Sequence, residues 1–460
     1  MMIDNRNGIV RKLLTAISAL FVCLALFAQT ETTGSYGAYS PYSIYGLGGI
    51  AKEGTAHTQT MGGVGIASRN NRFINTTNPA AIPARDTLAF MCDLGMYENN
   101  VIYAQGSGMD AKNTFNVNNI VFSFPIWRSS AFMVGLAPFS DVGYSFSRKE
   151  ENEEIIANTG NITYDSYGDG SIYQLYVGAG ATFWKRFSVG AQFIYYFGNI
   201  DRISNETFSN SSYRSINYGS RMNISAYTGK FGVQYEQKLA SKLSMIVGAT
   251  YRLGTDIRGY SNHFAYASQS SIVDTLKTMT WTDTLATMDK LNRPRIADEI
   301  GVGISFKGDD RWAVEFNYLR SDWRNSNFEK NRGFSASSDG TIFTSSVSQS
   351  FRAGFEIVPG RNDIRYYFRR CTYRGGIYYE QDYMRMNGAR VDTYGLTFGM
   401  TLPVFRWYNG ITVGMDIGRR GNNKLVTAGE KSAGLTSETY FKICIGFNIH
   451  DIWFQKPRYN

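Results

Sequence analysis

The chain has 460 residues with 47 Lys and Arg against 38 Asp and Glu, a formal net charge of +9, yet its cations are scattered, with no clustered reading element for nucleic acid. It holds 31 Tyr, 30 Phe and 47 Gly but 9 Pro, and with a mean hydropathy of −0.27 it carries no apolar run beyond its N-terminus long enough for a membrane helix. The cysteines, Cys23, Cys92, Cys371 and Cys444, lie too far apart for a disulfide framework or a paired zinc-ligand pattern.

The first element is a leader. Arg11 and Lys12 precede an apolar run from Leu13 to Phe27, and the small Ala28 offers cleavage before Gln29. The run is short for a membrane helix and no stop-transfer pattern follows. Val22 stands before Cys23 where a lipobox wants a small residue. Residues 1–28 therefore read as a signal peptide, and losing Arg6, Arg11, Lys12 and Asp4, three cations and one anion, takes the charge from +9 to +7. That charge suits a polar lumen and an anionic membrane surface.

Residues 29–85 differ in kind. Tyr36-Gly-Ala-Tyr-Ser-Pro-Tyr-Ser-Ile-Tyr, Met61-Gly-Gly-Val-Gly-Ile-Ala-Ser and Asn75-Thr-Thr-Asn-Pro-Ala-Ala mix aromatics, glycines and small residues without a long period. Gly63-Val-Gly-Ile-Ala-Ser mimics part of a dinucleotide-binding turn, but no flanking strand, helix or acidic residue completes the unit.

From residue 86 the pattern alternates with a period of two. Tyr173, Leu175, Val177, Ala179, Ala181 and Phe183 form one face, and Phe187, Val189, Ala191, Phe193, Tyr195 and Phe197 repeat it. The other face carries Gln174, Gln192, Arg252, Glu315, Arg352, Glu356, Arg374 and Asp416, the reverse of a soluble sandwich, so lipid is the partner of the apolar face. The runs are about 10–14 residues long, enough to cross a bilayer at a tilt.

Connections alternate between short ones, near 127–130, 184–186, 238–242, 308–310, 359–371 and 403–408, and mostly long ones, such as 98–113, 147–170, 203–215, 263–295 and 421–437. This predicts an all-β transmembrane antiparallel barrel of about fourteen strands over 86–449, both ends on the short-turn side, with a periplasmic tail at 450–460. Trp127, Trp184, Trp312 and Trp407 stand beside short links, at the level of one headgroup layer. A barrel so wide needs something in its lumen, and 29–85 is the natural plug.

The glycine-rich stretch Gly62-Gly63-Val64-Gly65-Ile66-Ala67, followed by Asn78-Pro79-Ala80 directly before the first strand, resembles the hatch of the FadL/TodX outer-membrane transport family. The resemblance implies a cell outer-membrane barrel without a cofactor, passively taking up small hydrophobic compounds such as long-chain fatty acids. It implies gating by Gly62, Gly63, Gly65, Asn78 and Pro79, with Arg69 and Arg72 as weak candidates for holding a ligand carboxylate. Barrels of this kind also serve as non-transporting subunits of protein secretion machineries of the type IX sort. The alternative partner is then a periplasmic or machinery protein rather than a hydrophobic ligand, with outer-membrane lipids around the wall in either case. The tail Trp453-Phe454-Gln-Lys-Pro-Arg-Tyr-Asn460 departs from the family in continuing past the last strand.

Catalysis is not expected. Of His57, His263 and His450, only His263, near Ser261 and Asn262, approaches a hydrolase arrangement, and a surface-loop histidine is the plainer reading. No His and Cys have zinc spacing. Asp165-Ser-Tyr-Gly-Asp169-Gly lacks the closing acidic ligand of a calcium loop and reads as an external turn. The run 148–154 reads as solvated. The basic stretch 361–374, with Arg365, Arg369 and Arg370, reads as a periplasmic turn in water, or failing that as a contact for a periplasmic partner.

Overall fold

The computed structural model describes residues 38–85, 89–127, 129–210, 212–268, 284–309, 311–331, 333–334, 342–405, 409–422, 425–428 and 431–452. The expected signal peptide, residues 29–37, Trp407 and the Trp453–Asn460 tail lie outside them.

Alternating side chains build one closed wall. Its strands are β1 (Ala89–Gln105), β2 (Gly108–Trp127), β3 (Ser130–Lys149), β4 (Ile162–Phe183), β5 (Phe187–Phe208) and β6 (Ser215–Ala240). Next come β7 (Leu243–Arg252, resumed over Arg258–Ser268) and β8 (Thr284–Lys290, resumed over Glu299–Gly308). The rest are β9 (Trp312–Asp322), β10 (Val347–Ile357), β11 (Thr372–Met386), β12 (Ala389–Phe405), β13 (Asn409–Arg420) and β14 (Ser437–Ile452). Each pairs antiparallel with its successor, and β14 returns to β1 with His450 opposite Met91, closing a 14-strand barrel. Closure matters in lipid because it leaves no strand edge with unmet backbone groups.

The faces sort as alternation requires. Phe193, Val302, Phe316, Phe351, Ile377 and Leu396 are exposed on the outside, while Gln174, Gln192, Lys230, Arg252, Glu315, Glu356 and Arg374 are buried inside. Val177 and Val189 stand on the outer face and Gln174 and Gln192 on the inner one. Trp127, Trp184 and Trp312 are exposed beside the short turns; Trp323, at the far end of its strand, is instead buried in an aromatic cluster.

The strands outrun the expected lengths. β6 has 26 residues, and the stretches 98–113 and 203–215 are largely ladder, with only Gly106 and Ser107 joining β1 to β2. Beyond the bilayer an outward residue need not be apolar, so alternation fades while hydrogen bonding continues. The same effect places Asp165–Gly170 within β4, paired to β5, rather than in a turn. His263 likewise lies in a ladder between Ser220 and Thr287, buried, and not in a loop.

One seam departs from regularity. β2 and β3 pair only from Ile120↔Leu136 down to Trp127↔Ser130, and among the described residues no ladder joins their upper halves. β3 bulges at Phe139, between the paired Pro138 and Ser140. The unmet edge of β3 is taken by the N-terminal segment: Gly49 and Ile50 pair with Asp141 and Ser140, Ala51 N donates to Phe139 O at 2.9 Å, and Ser40 N donates to Gly143 O at 2.7 Å.

Candidate functional site

Residues 38–85 lie against the inward faces of the wall, and the strands are cut to receive them. Many of the inward positions where this segment passes are glycine. A methyl group on Gly180 would come within 2.7 Å of the Pro79 carbonyl, and one on Gly354 would overlap that of Met61. Gly190 likewise meets Pro79, Gly232 meets Asn78, Gly248 meets Ile66 and Gly376 meets Gly62. A side chain at any of these positions would collide with the segment and keep it from its close approach to the wall.

The residues expected to gate sit in this ring. Gly62 and Gly63 have φ of +74° and +75°, a left-handed backbone that L residues avoid. Gly62 N donates to Thr397 Oγ1 at 2.7 Å, and the Gly63 carbonyl accepts from Arg352 at 3.0 Å. Gly65 faces Thr77, and its carbonyl accepts from Asn75 at 2.6 Å. Fully buried Asn78 caps the short turn Pro79–Ala81, its Oδ1 accepting from Ala80 N at 2.9 Å while its Nδ2 donates to Ile66 O at 2.7 Å.

Charge holds the segment as well as shape. Glu53 meets Lys230 and, at 3.5 Å, Arg252, which reaches Glu299 at 3.3 Å. Lys52 pairs with Asp416 at 3.3 Å. His57 Nε2 lies 2.9 Å from Glu356, whose same oxygen accepts from Arg374 at 2.9 Å. Burial and the nearby Arg374 guanidinium push His57 down to about 4, so it donates to Glu356 as a neutral imidazole. The strand members of these pairs are visible in the sequence as charges on the minority face. Lys52, Glu53 and His57 carry no signal of their own, because nothing in an irregular segment tells which charge will find a partner.

Toward the long-loop end the lumen turns apolar, and the chain fills it itself. Tyr42, Tyr45 and Leu47 are buried with Phe139, Tyr196, Trp323, Phe328, Phe334 and Tyr383. Tyr383 donates to Gly48 O at 2.9 Å, fixing the segment there. A remaining cavity of about 320 Å³ runs from this cluster to the β2–β3 seam, and among its lining are Lys52, Glu53, Arg252, Arg352, Asp416 and Phe139. The apolar upper lumen is thus filled by the chain itself, and the space that remains is lined by charged and apolar side chains together.

Arg69 and Arg72 sit elsewhere. Arg69 approaches Glu236 at 3.4 Å and bonds Ser188 near the short-turn end, and Arg72 is half-buried with its backbone N on Asn70 Oδ1 at 3.0 Å. Among the described residues no group of three or more His, Cys, Asp or Glu is placed to hold a metal.

A family model described as BamG matches residues 9–460. No curated protein matches the chain. Among solved structures, the CymD monoaromatic hydrocarbon channel is 15% identical with a TM-score of 0.55, covering 89% of this chain and 100% of its own. A Pseudomonas aeruginosa FadL homologue is 11% identical with a TM-score of 0.58, covering 87% and 99%. The Pseudomonas putida toluene transporter TodX is 13% identical with a TM-score of 0.56, covering 87% and 98%. At these identities the likeness establishes a shared FadL-like fold.

Proposed function

The chain belongs to the BamG family, and from its FadL-like fold and the geometry of its lumen we propose that it is an outer-membrane barrel through which small hydrophobic compounds, long-chain fatty acids among them, pass without an energy source. The observation that carries this reading is the seam: a stretch of wall where, among the described residues, β2 and β3 do not pair, covered by residues 38–51 and opening onto the luminal cavity. A compound entering among the long loops displaces Tyr42, Tyr45 and Leu47 from their apolar cluster and leaves sideways into the bilayer. Ring residues 56–82 stay in place and keep the lower lumen closed to water. The gate is then residues 38–51, with Gly62, Gly63, Gly65, Asn78 and Pro79 as its fixed seat. Arg69, engaged by Glu236, supports a structural role better than a ligand-binding one.

A second reading has its own support. A lumen filled by ion pairs and by the chain's own aromatics is also what a barrel needs if it serves as a non-transporting subunit of a protein machine. Mass spectrometry of what leaves native membranes with the protein separates the two. A bound hydrophobic compound at near-equal molar ratio supports passage; a stoichiometric protein partner with an empty lumen supports the subunit.

A further inference from the structure

The link between β10 and β11, residues 359–371, belongs to neither account. Water was its expected surroundings, but its side chains do not suit water. Ile364 is 90% exposed, Phe368 66% and Tyr366 58%, all within five residues. Four arginines (361, 365, 369 and 370) and one aspartate (Asp363) accompany them. The link is also folded rather than loose. Asp363 Oδ1 accepts from Arg365 N at 2.9 Å and Tyr366 N at 3.0 Å, and Gly360 N donates to Arg369 O at 2.7 Å, which closes the loop on a single helical turn, Tyr367–Arg370.

Its placement identifies what covers it. Tyr373, which shares the outward parity of Ile377 and Tyr379, donates its hydroxyl to Phe368 O at 3.0 Å. Tyr367 donates to Pro403 O, on the neighbouring strand β12, at 3.0 Å. The turn is therefore folded back toward the lipid side of the rim, at the end marked by Trp127, Trp184 and Trp312. A turn that combines exposed aromatics with cations at that level has the composition of an interfacial anchor.

We propose that residues 359–371 form a lipid-binding clamp lying in the headgroup layer at the short-turn end. Ile364 and Phe368 dip into the acyl boundary while Arg365, Arg369 and Arg370 engage the phosphate of an anionic phospholipid. The clamp rests on the barrel's standing in a membrane and not on what passes through it. Planar guanidinium groups suit a phosphate diester. The stacking of Arg369 on Tyr366 and of Arg370 on Tyr367, at 5.0 and 5.1 Å, holds two of them beside the aromatic surface. A soluble acidic protein would meet the cations equally well, but the fold toward outward-facing Tyr373 favours lipid.

The test uses the full-length protein in vesicles of phosphatidylcholine and phosphatidylglycerol, with Cys23, Cys92, Cys371 and Cys444 replaced by Ala. Single variants Ile364→Cys, Phe368→Cys and, as a wall reference, Phe193→Cys carry an environment-sensitive fluorophore. Brominated lipids should quench all three sites, and aqueous iodide none. Quenching of the wall site alone, with iodide reaching 364 and 368, overturns the clamp and leaves the membrane barrel standing; failure at the wall site overturns the barrel itself. Native mass spectra give the second arm. Replacing Arg365, Arg369 and Arg370 with Glu should lower the retention of phosphatidylglycerol relative to phosphatidylcholine, by roughly fivefold for each residue. Unchanged relative retention overturns the arginine–phosphate contact.

Discussion

Single residues inside the barrel are constrained by charge as well as by size. Lys230 and Arg252 have side chains only 3% and 4% exposed, and both face Glu53. Glu53→Gln removes the anion opposite buried Lys230, while Arg252 keeps Glu299, and breaking a buried pair in this way typically costs about 3–5 kcal/mol. Urea unfolding in lipid vesicles should show that loss, whereas Asp322→Asn, in an exposed pair with Arg324, should change stability by less than about 1 kcal/mol. An equal effect at both sites would mean that the luminal network is wet and weak.

His57 adds a pH dependence whose sign follows from its burial. Its folded value, about 4, lies below the 6.5 of an unperturbed histidine. Above 6.5 both states are neutral at this site and its contribution is complete. As pH falls from 6.5 toward 4 the unfolded chain takes a proton that the folded one refuses, so stability declines. Below 4 both states are protonated and the loss stops growing. His57→Gln removes the titrating group, so the difference in unfolding free energy between parent and variant should change across that window and be flat above it. A flat difference throughout would show that His57 titrates normally when folded.

Elements carry two separate codes, one facing lipid and one facing the segment within. Outward, Phe193→Arg places a charge in the bilayer and should cost about 2–4 kcal/mol, read in the same vesicle unfolding assay. Inward, Gly190→Leu should force Pro79 from its seat. The variant should conduct ions in planar bilayers where the parent stays closed, while Gly229→Ala, which meets only ordinary contacts, should behave as the parent. A closed Gly190→Leu barrel would mean that the seal lies with the loops.

Alternation in the sequence was enough for the strand number, the parity of Val189 and Gln192, and the side on which the short turns lie, because lipid imposes it on every strand. Gly180 and Gly190 share the inward parity of Gln174 and Gln192, but their use as a seat appears only when Pro79 is seen against them. Strand ends were not legible, since the lipid code stops at the membrane surface and the ladder does not. Nor was the β2–β3 seam, which depends on a bulge at Phe139 and on a segment distant in the chain. The filling of the upper lumen by Tyr42, Tyr45 and Leu47 was hidden for the same reason: a run of tyrosines reads alike whether it lines a pocket or fills one.

On the proposed function, the whole molecule is a closed wall with a seated lower plug and an upper strap that moves at the β2–β3 seam. Pairing between Ile50 and Ser140 allows the strap to be locked. Directly opposed residues of an antiparallel pair have Cα atoms about 4.5–5.5 Å apart, within the span of a disulfide. The most direct measurement is therefore the influx of a long-chain fatty acid into vesicles containing Ile50→Cys/Ser140→Cys, with the native cysteines replaced by Ala, before and after reduction. The account predicts slow influx when oxidised, close to that of protein-free vesicles, and recovery to the rate of the cysteine-free parent on reduction. Equal influx in the two states, with the disulfide verified, would contradict passage through the seam; a parent no faster than protein-free vesicles would contradict passage altogether.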